Sequence, residues 1–228
     1  MALALARAGA DLVLVARTAS ALEEVAAEVQ QLGRKAVAVV ADVTREEDVR
    51  SMVRQSMAAF DRIDILVNNA GVGESRSLLE LDVEQWDHTM AVNVRGPMLC
   101  CKHVGPVMIE QRRGKIINVA SVLALRAARY MSLYCASKAA LVQFSRALAL
   151  EWVRLNIQVN ALCPGYFLTD MNREFFATDR GQQFIRDLPM KRLGQPEELE
   201  GAVVFLASDA SNYMTGACLL IDGGFHLA

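Results

Sequence analysis

The stretch Lys115-Ile116-Ile117-Asn118-Val119 is a short, mostly apolar run near the middle of the chain. Its apolar residues stand next to one another rather than at every second position, which is typical of a strand buried on both faces of a parallel sheet. Parallel strands are joined by crossovers, and the crossover is usually a helix. The stretch therefore predicts a parallel sheet with helices packed against it.

Runs of the same kind recur on both sides of this stretch and alternate with helical patterns. The predicted strands are residues 11–16, 36–40, 63–67, 116–120, 157–162 and 217–221. The predicted helices are residues 2–8, the segment between Thr18 and Gly33, and residues 45–60, 83–110, 132–154 and 196–208. This alternation predicts a doubly wound α/β fold, in which one mainly parallel sheet lies between two layers of helices.

Local signals predict how three of the helices begin, bend or end. Thr44 is the predicted N-cap of the helix at 45–60, and Asn156 is predicted to follow the helix at 132–154 with a positive φ. Gly96-Pro97 and Gly105-Pro106 predict a bend in the helix at 83–110, or its division into two pieces.

Size and composition predict one soluble globular domain over residues 1–228. The 228 residues are 53% hydrophobic and 22% charged, and the net charge of −2 predicts no general attraction to nucleic acid or to an anionic membrane. No apolar run approaches the roughly 18–20 residues that a membrane span needs. The five cysteines form no C-x-x-C pair and have no metal-ligand spacing with the three histidines, which predicts reduced thiols in the cytoplasm and no metal site.

The pair Tyr134 and Lys138 is the first candidate for chemistry. Residues four apart at the start of a helix lie on one face, so a phenol and an ammonium can share a site. At an effective dielectric of about 20, the positive charge would attract a phenolate by roughly 3–4 kcal/mol, which predicts a pKa lowered by at most ~2–3 units. The alternative is that the pair merely belongs to an amphipathic first turn.

Further polar residues follow the predicted strands. Ser121 stands thirteen residues before Tyr134 and directly after the strand at 116–120. Ligands of doubly wound sheets bind beyond the carboxyl ends of the strands, where the hydroxyl, the phenol and the ammonium would meet. The other candidates at strand ends are Arg17, Asp42, Asn69 and Pro164-Gly165.

Over nearly its whole length the chain resembles the short-chain dehydrogenase/reductase family. The motifs that carry the resemblance are Asn68-Asn69-Ala70-Gly71, Asn93, Ser121, Tyr134-x-x-x-Lys138, Pro164-Gly165-x-x-x-Thr169 and Asp222-Gly223-Gly224, in the family's order and spacing. The branch it resembles contains bacterial 3-oxoacyl-[acyl-carrier-protein] reductases, gluconate 5-dehydrogenases and related sugar or polyol dehydrogenases. The resemblance implies a Rossmann-like fold and a homotetramer built through residues 83–110, 132–154 and the last strand.

The resemblance also implies catalytic roles. Tyr134 would be the general acid in reduction and the base in oxidation of a small carbonyl or alcohol substrate, while Ser121 would hydrogen-bond the substrate oxygen. Lys138 would hold the nicotinamide ribose and lower the pKa of the tyrosine. Asn93 would anchor a water that links Lys138 to solvent, or else it would only fill a kink in a long helix.

Other residues are expected at a nicotinamide cofactor. Asp42 would accept a hydrogen bond from the adenine, unless it is only a loop or cap residue. The remaining expected contacts are Val43 at the adenine ring, Asn69, Ala70 and Gly71 at the adenosine ribose, and Pro164, Gly165, the Phe167 backbone and Thr169 at the nicotinamide and pyrophosphate. Gly165 could instead be a simple turn residue.

The type of cofactor is predicted from the residues that end the first visible strand. A site that prefers NAD carries Asp or Glu there, because the carboxylate binds the 2′-hydroxyl and repels a 2′-phosphate. This chain has Ala16 followed by Arg17, and a guanidinium binds phosphate well. NADP(H) is therefore the predicted cofactor, with NAD(H) as the alternative.

One family feature is absent from the sequence. The family's first strand and its Thr-Gly-x-x-x-Gly-x-Gly turn have no counterpart, and residues 2–8 match the later part of the helix that follows that turn. We therefore expect an N-terminally truncated fold that lacks a central strand between 12–15 and 63–67, explained by a start at an internal methionine. The alternative is a naturally shortened, non-catalytic protein with a structural or interaction role.

The substrate is expected to be set by residues 166–195, a long mixed segment typical of a lid or substrate loop. Arg112, Arg113 and Arg154 could form a docking patch for an acyl-carrier protein, or could be ordinary solvated arginines. The resemblance implies that the substrate is a 3-oxoacyl thioester or a keto-sugar or polyol.

Overall fold

The structure, a computed structural model, describes residues 1–169 and 172–228. The strands are β1 (Leu12–Ala16), β2 (Ala36–Val40), β3 (Ile65–Asn68), β4 (Gly114–Val119), β5 (Ile157–Pro164) and β6 (Cys218–Ile221). The helices are α1 (Ala2–Arg7), α2 (Ala19–Gln31), α3 (Glu46–Phe60), α4 (Val83–Met90), α5 (Gly96–Gln111), α6 (Ser132–Trp152), α7 (Arg173–Ala177), α8 (Asp179–Asp187) and α9 (Glu200–Ala207).

All the strand pairs are parallel, as the sequence predicts. β3, β4, β5 and β6 are hydrogen-bonded in that order, and β1 pairs with β2 in a second, two-stranded sheet. Within the described residues, β1 and β3 form no ladder with each other. This break lies between the two strands that the sequence analysis expects to flank the family's first strand.

Consecutive residues of β4 face opposite layers of helices, which explains the continuous apolar pattern of this strand. Ile116 packs with Met108 of α5 and Leu148 of α6. Ile117 packs on the other side, with Leu5 of α1 and with Val203 and Leu206 of α9. Both isoleucines are 1% exposed, so each removes most of its apolar surface from water. The predicted three-layer α/β/α arrangement is therefore confirmed.

The predicted long helix at 83–110 is divided into two pieces next to Gly96-Pro97, as the first of the two Gly-Pro pairs predicts. A π-helical turn at Ala91–Arg95 separates α4 from α5 and contains Asn93. α5 begins at Gly96, whose N–H bonds to the Ala91 carbonyl, and Pro97 stands in its first turn, so the π-helical turn lies directly before the residue that lacks an N–H. The second pair leaves the helix continuous, because Pro106 is accommodated inside α5.

Of the two residues predicted to stand at helix termini, Asn156 is confirmed and Thr44 is not. Asn156 has a φ of 60°, as predicted for a residue that tolerates the left-handed region. The prediction that Thr44 caps α3 is wrong, because α3 begins at Glu46 and its N-cap position is Arg45. The Thr44 hydroxyl instead donates a hydrogen bond to Asp42 Oδ1 at 2.7 Å.

The segment 166–195 contains α7 and α8 and returns to the sheet through a parallel bridge between Phe167 and Gly194. Tyr166 packs edge-on against Phe184, with ring centroids 4.7 Å apart. Residues 170 and 171 of this predicted substrate loop lie outside the described residues.

Candidate active site

The carboxyl ends of β3, β4 and β5 bring the predicted catalytic residues together. Ser121 follows β4 after one residue, is 7% exposed, and accepts a hydrogen bond from the Leu123 N–H at 3.1 Å. Tyr134 and Lys138 stand in the first two turns of α6, which packs against β5. The spacing of four residues places both side chains on the same side of the helix, next to the end of β4.

The Tyr134 phenol lies beside the Ser121 hydroxyl. Burial raises the pKa of Tyr134 above its ordinary value, and the interaction with Ser121 lowers it by less. The prediction that Lys138 brings this pKa below its ordinary value is therefore wrong for this structure. The ammonium lies 5.7 Å from the centroid of the Tyr134 ring and donates to the Val119 carbonyl at 2.9 Å, so the loss of water around the phenol is the stronger effect.

Lys138 is 3% exposed, which is unusual for a lysine. Burial lowers the pKa of Lys138 to about 8, because the ammonium loses hydration that one carbonyl does not replace. The side chain is therefore mostly charged at neutral pH and begins to lose its proton in mildly alkaline solution.

Asn93 is fully buried and connects α6 to the loop after β3. Its Oδ1 accepts from the Val72 N–H at 2.9 Å, and its Nδ2 donates to the Val72 carbonyl at 2.8 Å and to Ser137 Oγ at 2.9 Å. The side chain therefore holds the backbone of Val72 in both directions. The water expected at Asn93 stays a prediction.

This anchored loop brings Gly71 beside Lys138. A Cβ atom at position 71 would lie in ordinary contact with Asn93 Oδ1, at 3.5 Å, but only 3.2 Å from Lys138 Nζ, which is a tight contact. Asn69 and Ala70, the two residues before it, are exposed at the edge of the sheet. The loop is therefore open to a ligand on one side and closed against the lysine on the other.

The residues expected at the adenine lie at the carboxyl ends of β1 and β2. Asp42 Oδ1 accepts from the Thr44 N–H at 2.9 Å and from the Thr44 hydroxyl, and Asp42 Oδ2 accepts no hydrogen bond from the described residues. These bonds and the charges of Arg17 and Arg45 hold the pKa of Asp42 below its ordinary value, so a carboxylate oxygen is available to a donor. Arg17 itself is exposed directly after β1.

Val43 packs closely on the start of α5. A Cβ atom at Gly96 would lie 2.9 Å from Val43 Cγ2, so the glycine leaves the space that the valine fills. The position of the residue expected beside the adenine ring is therefore determined by contact with α5.

The residues expected near the nicotinamide lie after β5. Pro164 ends the strand, and a Cβ atom at Gly165 would lie 2.7 Å from Asp222 Cα, so the glycine allows close contact with the loop after β6. Asn172 secures the next turn, because it donates to the Phe167 carbonyl at 2.8 Å and accepts from the Thr169 N–H at 2.9 Å.

Sequence analysis missed Val72 and Ser137 as partners of Asn93. Ser137 directly precedes Lys138 inside the quoted motif, and Val72 directly follows Gly71. Their place next to the motifs was a usable signal, but the contact depends on the π-helical turn, which the sequence did not predict.

Doubly wound sheets bind dinucleotides at this edge. Hydroxyl, phenol and ammonium groups beside such a site are suited to the proton transfer that accompanies hydride transfer. The available oxygen of Asp42 and the exposed Asn69 and Ala70 fit an adenosine. The fold and the site together define the class of dinucleotide-dependent oxidoreductases.

Known proteins agree with this class. The family model described as enoyl-(acyl carrier protein) reductase matches residues 1–226. The 3-oxoacyl-[acyl-carrier-protein] reductase of Synechocystis sp. is 36% identical over 225 residues, which is 98% of this chain and 90% of that protein. The chain belongs to the short-chain dehydrogenase/reductase family.

Solved structures resemble it equally well. A gluconate 5-dehydrogenase from Burkholderia cenocepacia, in complex with NADP and tartrate, has a TM-score of 0.95 and 35% identity, covering 100% of this chain and 89% of its own. An NAD⁺-bound xylitol dehydrogenase has a TM-score of 0.93 and 33% identity, covering 98% of this chain and 92% of its own. Structural neighbours therefore include proteins with either cofactor.

Two further observations apply to the described ranges 1–169 and 172–228. They contain no helix that combines the length and the apolar character needed to cross a membrane. They also bring together no group of three or more histidine, cysteine, aspartate or glutamate side chains that could hold a metal ion.

Proposed function

We propose that the chain transfers a hydride between NADP(H) and a ketone or secondary alcohol. The observation that carries this proposal is the meeting of the Tyr134 phenol, the Ser121 hydroxyl and the buried Lys138 at the edge of the sheet where dinucleotides bind. Membership of an oxidoreductase family supports the same reaction type.

The cofactor supplies the hydride in reduction and accepts it in oxidation. Tyr134 would donate a proton to the carbonyl oxygen of the substrate, which Ser121 would hold by a hydrogen bond. Because burial raises the pKa of Tyr134, the phenol is protonated at neutral pH, which is the state that a general acid needs. This protonation state is the one that reduction of a ketone uses.

Arg17 supports the proposed preference for NADP(H). The position directly after β1 carries a guanidinium whose charge reaches Asp42, and Ala16 before it brings no carboxylate that would repel a 2′-phosphate. Replacing Arg17 with glutamate should lower kcat/KM for NADPH by at least about tenfold, since one charge-assisted contact of ~1.5–3 kcal/mol is lost. A wild-type protein that clearly prefers NADH would contradict the proposal and favour NAD(H).

The proposed substrate is a 3-oxoacyl thioester or a keto-sugar or polyol. Relatives with each kind of name support both, and the apolar ring cluster of Tyr166, Phe176 and Phe184 supports a substrate with some apolar surface. Acyl-carrier protein is a candidate partner through Arg112, Arg113 and Arg154. Of these, Arg113 forms an ion pair with Asp209 at 3.0 Å, so the carboxylate already offsets part of the positive charge that a partner would meet.

The decisive experiment follows NADPH consumption with acetoacetyl thioesters and ketogluconates side by side. Preferential turnover of one set identifies the substrate class, and a pulldown with acyl-carrier protein tests the partner. If the protein binds NADPH but turns over none of these ketones, the reductase proposal fails in its substrate class. If it neither binds NADPH nor turns over a ketone, the non-catalytic alternative is favoured.

We also propose a homotetramer formed through α4, α5, α6 and β6. Leu150 of α6 is 81% exposed and Val153 directly after this helix is 46% exposed, so this face presents apolar surface to a second copy. Sedimentation velocity should give the mass of four chains, and a monomer at micromolar concentration would contradict the assembly.

A further inference from the structure

Gly73 lies directly against the ring of Tyr134. A Cβ atom built at position 73 would be 2.7 Å from Tyr134 Cδ2 and 2.9 Å from Cε2. Carbon atoms in good contact are ~3.5–4.0 Å apart, so any side chain at position 73 would require the ring or the loop to move. The backbone of Gly73 therefore packs where only a glycine fits.

The glycine is required by this contact and not by its backbone conformation. The glycines with a positive φ in the described residues are Gly9, Gly33, Gly216, Gly223 and Gly224. Gly73 is not among them, so an L-residue could adopt its φ without strain. The three atoms nearest to such a Cβ all belong to the tyrosine ring, so contact with the ring is what excludes a side chain.

The loop that carries Gly73 is held on both sides. Val72, the preceding residue, is bound through its N–H and its carbonyl by the fully buried Asn93. Three residues further on, the Arg76 N–H donates to the Tyr130 carbonyl at 2.8 Å. Moving the loop away from the ring would stretch or break these bonds.

The tyrosine side chain is the part that can yield. It can rotate about its side-chain torsions, and the rotation would move its hydroxyl away from Ser121. A methyl group at position 73 would therefore displace the Tyr134 hydroxyl from the serine, while the Asn93 anchor of the loop remains.

We propose that Gly73 is a positioning residue that holds the Tyr134 ring so that its hydroxyl meets Ser121. The inference rests on the proposed function, because the contact between Gly73 and the ring matters only if Tyr134 transfers a proton. Gly73 acts through the tyrosine and touches none of the reacting atoms.

The test compares Gly73→Ala with Gly201→Ala. Gly201 stands in the first turn of α9, and a Cβ atom there meets nothing within 4 Å, so it controls for the added methyl group. We expect Gly73→Ala to lower kcat about 100-fold, as misplacement of a reacting group by ~1 Å does. The KM for the ketone and the Kd for NADPH should change little, and Gly201→Ala should match the wild type. A kcat of Gly73→Ala close to that of the wild type overturns the proposal.

A second measurement needs no turnover. The chain has four tyrosines, so NMR of protein labelled at tyrosine Cζ gives few signals, and Tyr134→Phe assigns the one of interest. In the wild type the phenol should titrate above its ordinary pKa, and in Gly73→Ala its pKa should fall, because the displaced ring regains water. An unchanged Tyr134 titration in Gly73→Ala overturns the positioning role.

The two measurements separate the two proposals. If the wild type reduces no ketone but the Tyr134 pKa falls in Gly73→Ala, the reductase function is refuted. The same result supports the proposal that Gly73 positions the Tyr134 ring. An active wild type whose kcat and Tyr134 titration are both unaffected by Gly73→Ala would refute the positioning role alone.

Discussion

Removing the Tyr134 hydroxyl is the sharpest test of the proposed chemistry. Tyr134→Phe keeps the ring that packs on Gly73 and deletes only the atom proposed to donate the proton. A general acid contributes ~10²–10⁴-fold to a rate, so we expect kcat/KM to fall by that factor, equivalent to about 3–5 kcal/mol of transition-state stabilisation.

The structure indicates that the same change costs little stability. Only the interaction with Ser121 is lost, worth no more than the ~0.5–1.5 kcal/mol of a full hydrogen bond. The Ser121 hydroxyl still accepts from the Leu123 N–H at 3.1 Å, so it is not left without a partner. The free energy of unfolding should therefore fall by at most about 1.5 kcal/mol, and the loss of activity cannot be attributed to unfolding.

The assay measures NADPH consumption with a ketone, NADPH affinity by fluorescence titration, and urea unfolding. Tyr213→Phe is the matched control, because Tyr213 is fully exposed. NADPH affinity should stay close to that of the wild type in both variants. The reasoning is refuted if Tyr134→Phe lowers kcat/KM by less than about tenfold, or if its loss in kcat/KM is matched by a loss in NADPH affinity.

Three further predictions concern Asn93, Lys138 and Cys101. Asn93→Ala should lower the unfolding free energy by about 3 kcal/mol, since it removes three buried hydrogen bonds, and a urea titration that shows no destabilisation contradicts this. NADPH affinity should weaken as pH rises through about 8, where Lys138 loses its proton, and Lys138→Arg should remove this pH dependence in a fluorescence titration. Burial raises the pKa of Cys101 from 9.0 to about 12 in the folded protein. Above pH 9 the thiol therefore loses its proton in the unfolded chain but keeps it in the folded one, so the free energy of unfolding falls as pH rises. The slope is up to ~1.4 kcal/mol per pH unit, and urea unfolding of Cys101→Ala should show a shallower alkaline decline.

The alternation of strands and helices was predictable because each signal is local. A run of adjacent apolar residues or a 3.6-residue period depends only on neighbours in the chain. The division of the helix at 83–110 next to Gly96-Pro97 was predictable for the same reason, whereas the π-helical turn that divides it was not. Asn93 makes its hydrogen bonds to Val72, 21 positions earlier in the sequence, and no local pattern records that partner.

The same distinction holds for the candidate site. Ser121, Tyr134 and Lys138 were identified by motif and spacing, and the structure brings them together at one edge of the sheet. The prediction that Lys138 lowers the pKa of Tyr134 is wrong, because the direction of the shift depends on how deeply the phenol is buried and where the ammonium points. Both are properties of packing between segments that are far apart in sequence.

The sequence by itself determined the fold class, the family and the residue types available for chemistry. These follow from periodicity and from motifs whose residues are close together or in a recognisable order. Only the tertiary structure decided that Asn93 secures the loop after β3 and that Gly73 packs on the Tyr134 ring. The physical reason is that contact distance and desolvation arise when separate segments meet, and a linear pattern contains neither.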